Sequence, residues 1–202
     1  MQLIGMLDSP YVRRTAIGLK LLGIAFEHRA VSVFSTFEAF QALNPVVKAP
    51  TLILDDGQAL MDSTLILDYA QSLAKPAASI FPAEPGARAR AVRLTGLALA
   101  ACEKTMQIVY EHNLRPPEKQ HQPWLDRVRG QLLAAYGLLE AAQRTDPLDA
   151  EVLDHAGVAV AVAWTFTRMM VPAIVPADDF PALRTFSARC EQLPVFRDTP
   201  PV

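Results

Sequence analysis

Apolar and polar positions change period several times along the chain, and a punctuation residue marks each change. Gln2 to Met6 is a short apolar run that reads as a buried strand. Leu7-Asp8-Ser9-Pro10 is a turn. Ser9 is a good N-cap, and Pro10 suits the first helical position, where its missing N–H costs nothing. Val12, Ala16, Ile17, Leu19 and Leu21 then recur at helical spacing as far as Gly23, a glycine placed just past a helix end. Phe26 to Val33 alternates as a strand does. Ser35 to Leu43 is expected as a short helix, with Ser35 and Glu38 forming a capping box. Asn44-Pro45 ends it, since the residue before a proline is pushed out of the α region. Pro50 stands at the mouth of the apolar run Thr51 to Leu54, a position where a strand tolerates proline. Asp55-Asp56-Gly57 is a turn signal, and Gln58 to Met61 a second short strand. Asp62-Ser63 caps a helix carrying Leu65, Ile66, Tyr69, Ala70 and Leu73 on helical spacing. The order is β-α-β-α-β-β-α. It implies a small mixed sheet with helices on its faces: a parallel, right-handed first crossover and an antiparallel hairpin at the end.

Beyond Leu73 the period is lost. Lys75 to Pro85 contains Pro76, Pro82 and Pro85 and reads as a linker. After it, strand signals with turn chemistry disappear. Helices are expected over Gly86 to His112, Pro123 to Arg144, Ala150 to Met170 and Phe180 to Leu193, with an extended tail from Pro194 to Val202. From Ala156 to Phe166 the third of these is apolar nearly all round, which puts it at the centre of its domain. Its alternating Val and Ala also fit a strand, and the length of the segment favours helix. The organisation is therefore an α/β domain over 1–75, a linker over 76–85, and an all-α domain over 86–202, a bundle of about five helices if one segment splits.

Composition narrows the class. Of 202 residues, 51% are hydrophobic and 20% charged, which excludes a disordered chain. A net charge of −2 gives no bulk attraction for nucleic acid or an anionic membrane, so neither is expected as a partner. The two cysteines, Cys102 and Cys190, fall inside apolar helical patterns and read as buried free thiols in a reducing compartment. The first residues carry no basic leader region or cleavage site, and the longest apolar run is too short to span a bilayer; the expected location is the cytoplasm.

Three places can carry chemistry. Two are the helix N-termini at Ser9-Pro10 and Asp62-Ser63, which follow strands of one small sheet and can emerge at one edge, where ligands of open α/β sheets bind. The third is Pro50. Ser9 is first an N-cap; beyond that, its hydroxyl can be aimed at a ligand, where a helix N-terminus and a donated hydrogen bond stabilise a thiolate. Asp62-Ser63 is first a cap as well. Its backbone N–H groups and the Ser63 hydroxyl suit a carboxylate and Asp62 an ammonium, together an α-amino-acid head group. The histidines, His28, His112, His121 and His155, lack metal-ligand spacing, and no metal is expected. Arg13-Arg14 and the Arg88, Arg90, Arg93 stripe read as solvated faces, with salt bridges at a dimer contact as the alternative. Tyr11, Met106, Tyr110 and Trp164 read as core residues before substrate contacts.

The residues just quoted carry a resemblance. The succession of an α/β domain, a linker and an all-helical domain resembles the glutathione S-transferase superfamily over almost the whole chain. Ser-Pro-Tyr-Val-Arg-Arg at 9–14 is similar to the first-helix motif of many bacterial members. Asn-Pro-Val-Val-Lys-Ala-Pro-Thr-Leu at 44–52 is similar to the family's Asn-Pro-x-Gly-x-Val-Pro-x-Leu segment. Asp62-Ser63 is similar to its acidic-Ser pair, and Leu-Pro-Val-Phe-Arg-Asp-Thr at 193–199 to its C-terminal segment. The sequence departs from the pattern at Val47, which replaces the usual glycine, and at Ala49, which replaces the usual valine. At the central helix the Ser/Thr-x-x-Asp capping box keeps Asp154, but Glu151 stands three residues before it. Position 9 is Ser and not Cys, which speaks against subclasses that form a mixed disulfide. The Ser-rich, Cys-containing motif of the isomerase subclass is absent.

The resemblance implies a thioredoxin-like N-terminal domain that binds glutathione. Pro50 would follow a cis peptide bond, and the backbone of Ala49 would pair with the cysteinyl part of glutathione. Lys48 would face the glycine carboxylate, Asp62 and Ser63 would hold the γ-glutamyl head, and Ser9 would stabilise the thiolate. Tyr11, Met106 and Tyr110 are the candidates for an electrophile pocket roofed by the helical domain. The implied protein is a homodimeric glutathione transferase that activates the thiol for attack on a small hydrophobic electrophile. Two alternatives stay open: a non-catalytic binding or regulatory protein on the same fold, and a glutathione-dependent reductase or dehalogenase.

Overall fold

In the computed structural model, which describes residues 1–75 and 78–202, the first elements are β1 (Gln2–Ile4), α1 (Pro10–Leu21), β2 (Glu27–Arg29), α2 (Phe37–Leu43), β3 (Thr51–Ile53), β4 (Ala59–Met61) and α3 (Ser63–Leu73). This is the expected β-α-β-α-β-β-α order. The sheet runs β2-β1-β3-β4. β1 pairs parallel to β2, with Leu3 opposite His28, and antiparallel to β3, with Leu3 opposite Leu52. β3 and β4 form the antiparallel hairpin. Leu3 and Leu52 are buried with Val12, Ala16 and Leu19 of α1 and Ile66, Leu67 and Ala70 of α3. Each Leu, Ile or Val among them contributes roughly 1.5–3 kcal/mol by leaving water, and together they hold both helices against the sheet. Gly18 makes this approach possible: a Cβ there would lie 2.4 Å from a Leu67 methyl carbon.

Two local expectations fail for physical reasons. α2 starts two residues late, after Thr36, and no side chain caps it. The Thr36 hydroxyl is spent on the preceding turn, donating to the Ser32 carbonyl and accepting from the Ser32 N–H, and the Ser35 N–H that Glu38 would need donates to Ser32 Oγ at 3.1 Å, so the Ser35–Glu38 capping box does not form. β2 covers only Glu27–Arg29 of the alternating run 26–33.

The chain divides into two units. One is Met1–Phe81 with Gln192–Val202, and the other is Pro82–Glu191. Pro76 and Ala77, the first residues of the expected linker, lie outside the described residues. The tail is not extended as expected. Pro194–Arg197 forms a short helix, α8, that packs on α1 within the first unit. Arg13 ties it there, donating through Nε to the Thr199 carbonyl at 2.7 Å and through Nη2 to the Phe196 carbonyl at 3.4 Å, with its guanidinium 5.4 Å from the centre of the Phe196 ring.

The second unit contains, among the described residues, α4 (Pro85–Leu114), α5 (Gln122–Thr145), α6 (His155–Met170) and α7 (Pro181–Cys190), four helices and not five, since no long segment splits. α6 is helical, not the competing strand, and its residues from His155 to Trp164 are all buried. Asp154 caps it, accepting from the N–H groups of Ala156 at 2.9 Å and Gly157 at 2.8 Å. Polar groups buried around α6 find partners: Thr95 with His155, Thr105 with Thr167, and the Tyr136 hydroxyl, which donates to the Ala163 carbonyl at 2.9 Å. Trp164 meets Tyr136 and Phe180 edge-on, and those two rings are tilted against each other, so Trp164 is core. Among the described residues no helix is long and apolar enough to cross a membrane.

Candidate functional site

The site residues anticipated from sequence fall on three short segments of the first unit. Ser9 precedes α1 in extended conformation, and its Oγ accepts from the Val12 N–H at 3.5 Å, a long capping bond. Its hydroxyl proton is not used by that bond.

The second segment is the loop from Asn44 to Thr51. Asn44 and Thr51 are buried, and Asn44 Nδ2 donates to Thr51 Oγ1 at 2.8 Å. Thr51 Oγ1 in turn donates to the Lys48 carbonyl at 2.7 Å, and Asn44 Oδ1 accepts from the Val46 N–H at 3.0 Å. This network pins the loop at both ends. Between them Val47 sits at φ +53°, and the Ala49–Pro50 peptide bond is cis. Left-handed backbone at a β-branched residue is a genuine outlier, tolerated only where the surroundings over-determine it. The glycine that Val47 replaces would adopt this φ freely. The loop comes close to the β1–α1 turn through Gly5, at φ +138°: a Cβ on Gly5 would lie 2.6 Å from Val12 Cγ2 and 3.3 Å from the Ala49 Cβ.

The third segment is the start of α3. Asp62 is its N-cap at φ +73°, a second positive-φ residue that is not glycine. Its two carboxylate oxygens have different partners. Oδ1 accepts from the Thr64 N–H at 2.9 Å, and Oδ2 is 4.0 Å from Lys48 Nζ. Both side chains are about half exposed, at 51% for Lys48 and 46% for Asp62. An ion pair so placed is worth little and is readily exchanged for other charged partners. Ser63 is buried, at 2% exposure.

The sequence reading of Arg13-Arg14 as a solvated face is wrong. Both are buried, at 1% and 2% exposure, because each guanidinium meets acceptors from elements remote in sequence. Arg13 holds α8. Arg14 Nη1 donates to Ser63 Oγ at 2.8 Å and to Thr64 Oγ1 at 3.2 Å. Arg14 and Thr64 thus join the site although sequence reasoning passed over them. The one available signal was an arginine doublet inside the helix, on residues that a solvated face does not require. Of the other stripe, Arg88 and Arg93 are exposed, and Arg90 pairs with Asp146 at 2.7 Å.

Among the remaining candidates, Tyr11 is half-buried on α1 of the first unit. Met106, half-buried, and Tyr110, 39% exposed, are on α4 of the second. A cavity of 360 Å³ in the first unit is lined by Leu7, Ala16, Lys20, Ile24, Phe26 and Asp198 among others, and by none of the five residues Ser9, Lys48, Ala49, Asp62 and Ser63. Among the described residues no three His, Cys, Asp or Glu side chains gather as a metal would need. Chemically, one edge of the unit thus offers a hydroxyl at a helix start, a half-exposed Lys–Asp pair, and a second helix start with two hydroxyls.

Residues 3–78 match the family description "Glutathione S-transferase, N-terminal domain". Over the full length the chain is similar to a glutathione transferase family member from Pseudomonas fluorescens Pf-5. The two are 30% identical, and the match covers 100% of this chain. With glutathione bound to that protein the TM-score is 0.86 over 98% of its chain; with S-(propanoic acid)-glutathione bound it is 0.83 over 97%. The uncharacterized GST-like protein YibF of Escherichia coli K12 is 28% identical over 163 residues, 81% of this chain and 80% of that protein. Glutathione transferase GST 23 of Zea mays is 30% identical over 90 residues, 45% of this chain and 40% of that protein.

Proposed function

The chain belongs to the glutathione S-transferase superfamily, and from that membership we propose that it binds glutathione at the segments described and activates the thiol for attack on a small hydrophobic electrophile. Membership alone does not make an enzyme; the reading has to stand on the site. The observation that carries it is the half-exposed Lys48–Asp62 pair beside the capped start of α3. Glutathione has a carboxylate at its glycine end and an α-amino-acid group at the other. In our reading it separates the pair: Lys48 turns to the glycine carboxylate, and Asp62 Oδ2 takes the γ-glutamyl ammonium while Oδ1 keeps its cap. One ion pair is traded for two, at groups water already reaches, so little desolvation opposes the exchange. The γ-glutamyl carboxylate meets Ser63 and the α3 N-terminus. The Ala49 backbone, before cis Pro50, pairs with the cysteinyl unit.

Ser9 supplies the chemistry. Its hydroxyl donates to the glutathione sulfur, which favours the thiolate over the thiol and lowers the pKa. The thiol proton leaves to solvent. The sulfur lone pair then forms a carbon–sulfur bond, and either a leaving group departs with its electron pair or an activated double bond takes up a proton. Tyr11, Met106 and Tyr110 are our candidates for electrophile contacts. We further propose a cytoplasmic homodimer with a role in detoxification. Two buried cysteines, neither in a disulfide, fit the reducing compartment, and family membership supports the dimer.

Ser9→Ala tests the assignment. Loss of one donor to a developing anion typically costs on the order of 100-fold in kcat. We expect that loss in conjugation to an activated aryl chloride, a KM for glutathione that is little changed, and a rise in the kinetic pKa of bound glutathione. Unchanged turnover and pH profile in Ser9→Ala would remove Ser9 from the mechanism.

A further inference from the structure

The two arginines of the doublet do different things. Arg13 donates to backbone carbonyls of Phe196 and Thr199, whose acceptor role is fixed, and this is a structural tie. Arg14 Nη1 donates to two hydroxyl oxygens, Ser63 Oγ at 2.8 Å and Thr64 Oγ1 at 3.2 Å. A hydroxyl can act either way, but a guanidinium has no lone pair to offer and stays protonated at any working pH. Both oxygens must therefore accept from Arg14. Each hydroxyl keeps its one proton for an acceptor on another side.

The neighbourhood has the same polarity. Ser63 is the first residue of α3, where backbone N–H groups and the helix dipole favour negative charge. The guanidinium adds a permanent positive charge behind the hydroxyls, and the burial of Arg14 and Ser63 keeps water from screening it.

We propose that Arg14 is a positioning residue for the γ-glutamyl α-carboxylate of glutathione: by hydrogen-bonding Ser63 and Thr64 from below, it makes both hydroxyls donors toward that carboxylate. The inference rests on the glutathione site proposed above. It also sets a selectivity. An anion at this point gains both hydroxyl protons and the guanidinium charge, whereas an ammonium meets a like charge and is disfavoured.

The test compares two ligands on wild type, Arg14→Met and Arg14→Lys by titration calorimetry. One ligand is glutathione. The other is γ-aminobutyryl-cysteinyl-glycine, which lacks only the α-carboxylate. Arg14→Met is expected to weaken glutathione about tenfold and to leave the analogue within about twofold. Arg14→Lys, which keeps a donor and the charge on a shorter and more strongly hydrated ammonium, is expected to weaken glutathione about threefold and the analogue not at all. Equal weakening of both ligands, or of neither, overturns the inference, since a merely structural arginine would not distinguish them. If circular dichroism shows Arg14→Met unfolded, Arg14→Lys decides by the same comparison. A wild type that binds no glutathione overturns the site itself; a wild type that binds, with variants blind to the carboxylate, overturns only the role of Arg14.

Discussion

At the scale of single residues, Val47 and Asp62 stand out, because each is a non-glycine residue at positive φ; Val47 precedes Lys48 of the Lys48–Asp62 pair, and Asp62 is its acidic member. Strained backbone persists only where its surroundings over-determine it. Their situations differ. Asp62 uses its side chain to cap α3, so its carboxylate helps offset the strain. Val47 gains nothing comparable, and its branched Cβ is the worst fit for a left-handed residue. Val47→Gly should therefore stabilise the protein. The relief of about 1–2 kcal/mol exceeds the roughly 0.5–1 kcal/mol of extra chain entropy a glycine loses on folding. Thermal unfolding should show a rise of about 2–4 °C, with the Kd for glutathione little changed. A lower melting temperature would mean that the Val47 side chain holds the loop by contacts that outweigh its backbone.

At the scale of elements, helix ends decide most of the fold. Some are closed locally. Ser9 at α1, Asp62 at α3 and Asp154 at α6 lie beside the N–H groups they serve. Asp154 fell inside a helix expected from Ala150, which starts only at His155, whereas the caps Ser9 and Asp62 were legible in the sequence. So were Gly23, at φ +69° just past α1, and the Asp55-Asp56-Gly57 turn of the hairpin. Other ends are closed from afar. α7 has no side-chain cap of its own. Glu140, on α5, reaches across to accept from the N–H groups of Ala182 and Leu183, both at 3.0 Å, while Arg144 holds the same carboxylate at 2.8 Å. Nothing local in the sequence marks Glu140, because these N–H partners lie more than forty residues away. Arg13 and Arg14 were misread for the same reason: their acceptors are at Phe196, Thr199, Ser63 and Thr64. Neighbour-to-neighbour punctuation can be read from a chain, whereas polar contacts between distant elements cannot. Glu140→Ala should strand two backbone donors, one of them in a buried bond. It should cost about 2–3 kcal/mol, read as a lower denaturant midpoint at unchanged slope. A loss below about 0.5 kcal/mol would show that water takes over the cap.

At the scale of the whole molecule, alkaline pH is where buried ionisable groups act on stability. Burial first, and then the charge of Glu191, push the Cys190 thiol from 9.0 up to about 12, with Arg189 opposing. Burial, and then Cys102, also raise Tyr136 well above the ordinary 10.0, with Thr167 opposing. Both groups are neutral when protonated, and the fold holds the neutral form. The unfolded chain releases these protons first. Their contribution is therefore fully present below about pH 9 and is lost as pH rises toward 12. Through these two groups the denaturant midpoint should leave its plateau and fall above about pH 9. Cys190→Ala should lower the plateau and make the alkaline fall shallower; a fall of the same steepness would take Cys190 out of it.

The central claim concerns the first unit, where two helix starts, a pinned loop and one Lys–Asp pair are read as a glutathione site. Titration calorimetry of the unmodified protein with glutathione tests it most directly. The account predicts saturable binding, one glutathione per chain, with a Kd below about 1 mM, equivalent to about −4 kcal/mol or better. No heat of binding at several millimolar glutathione would contradict it.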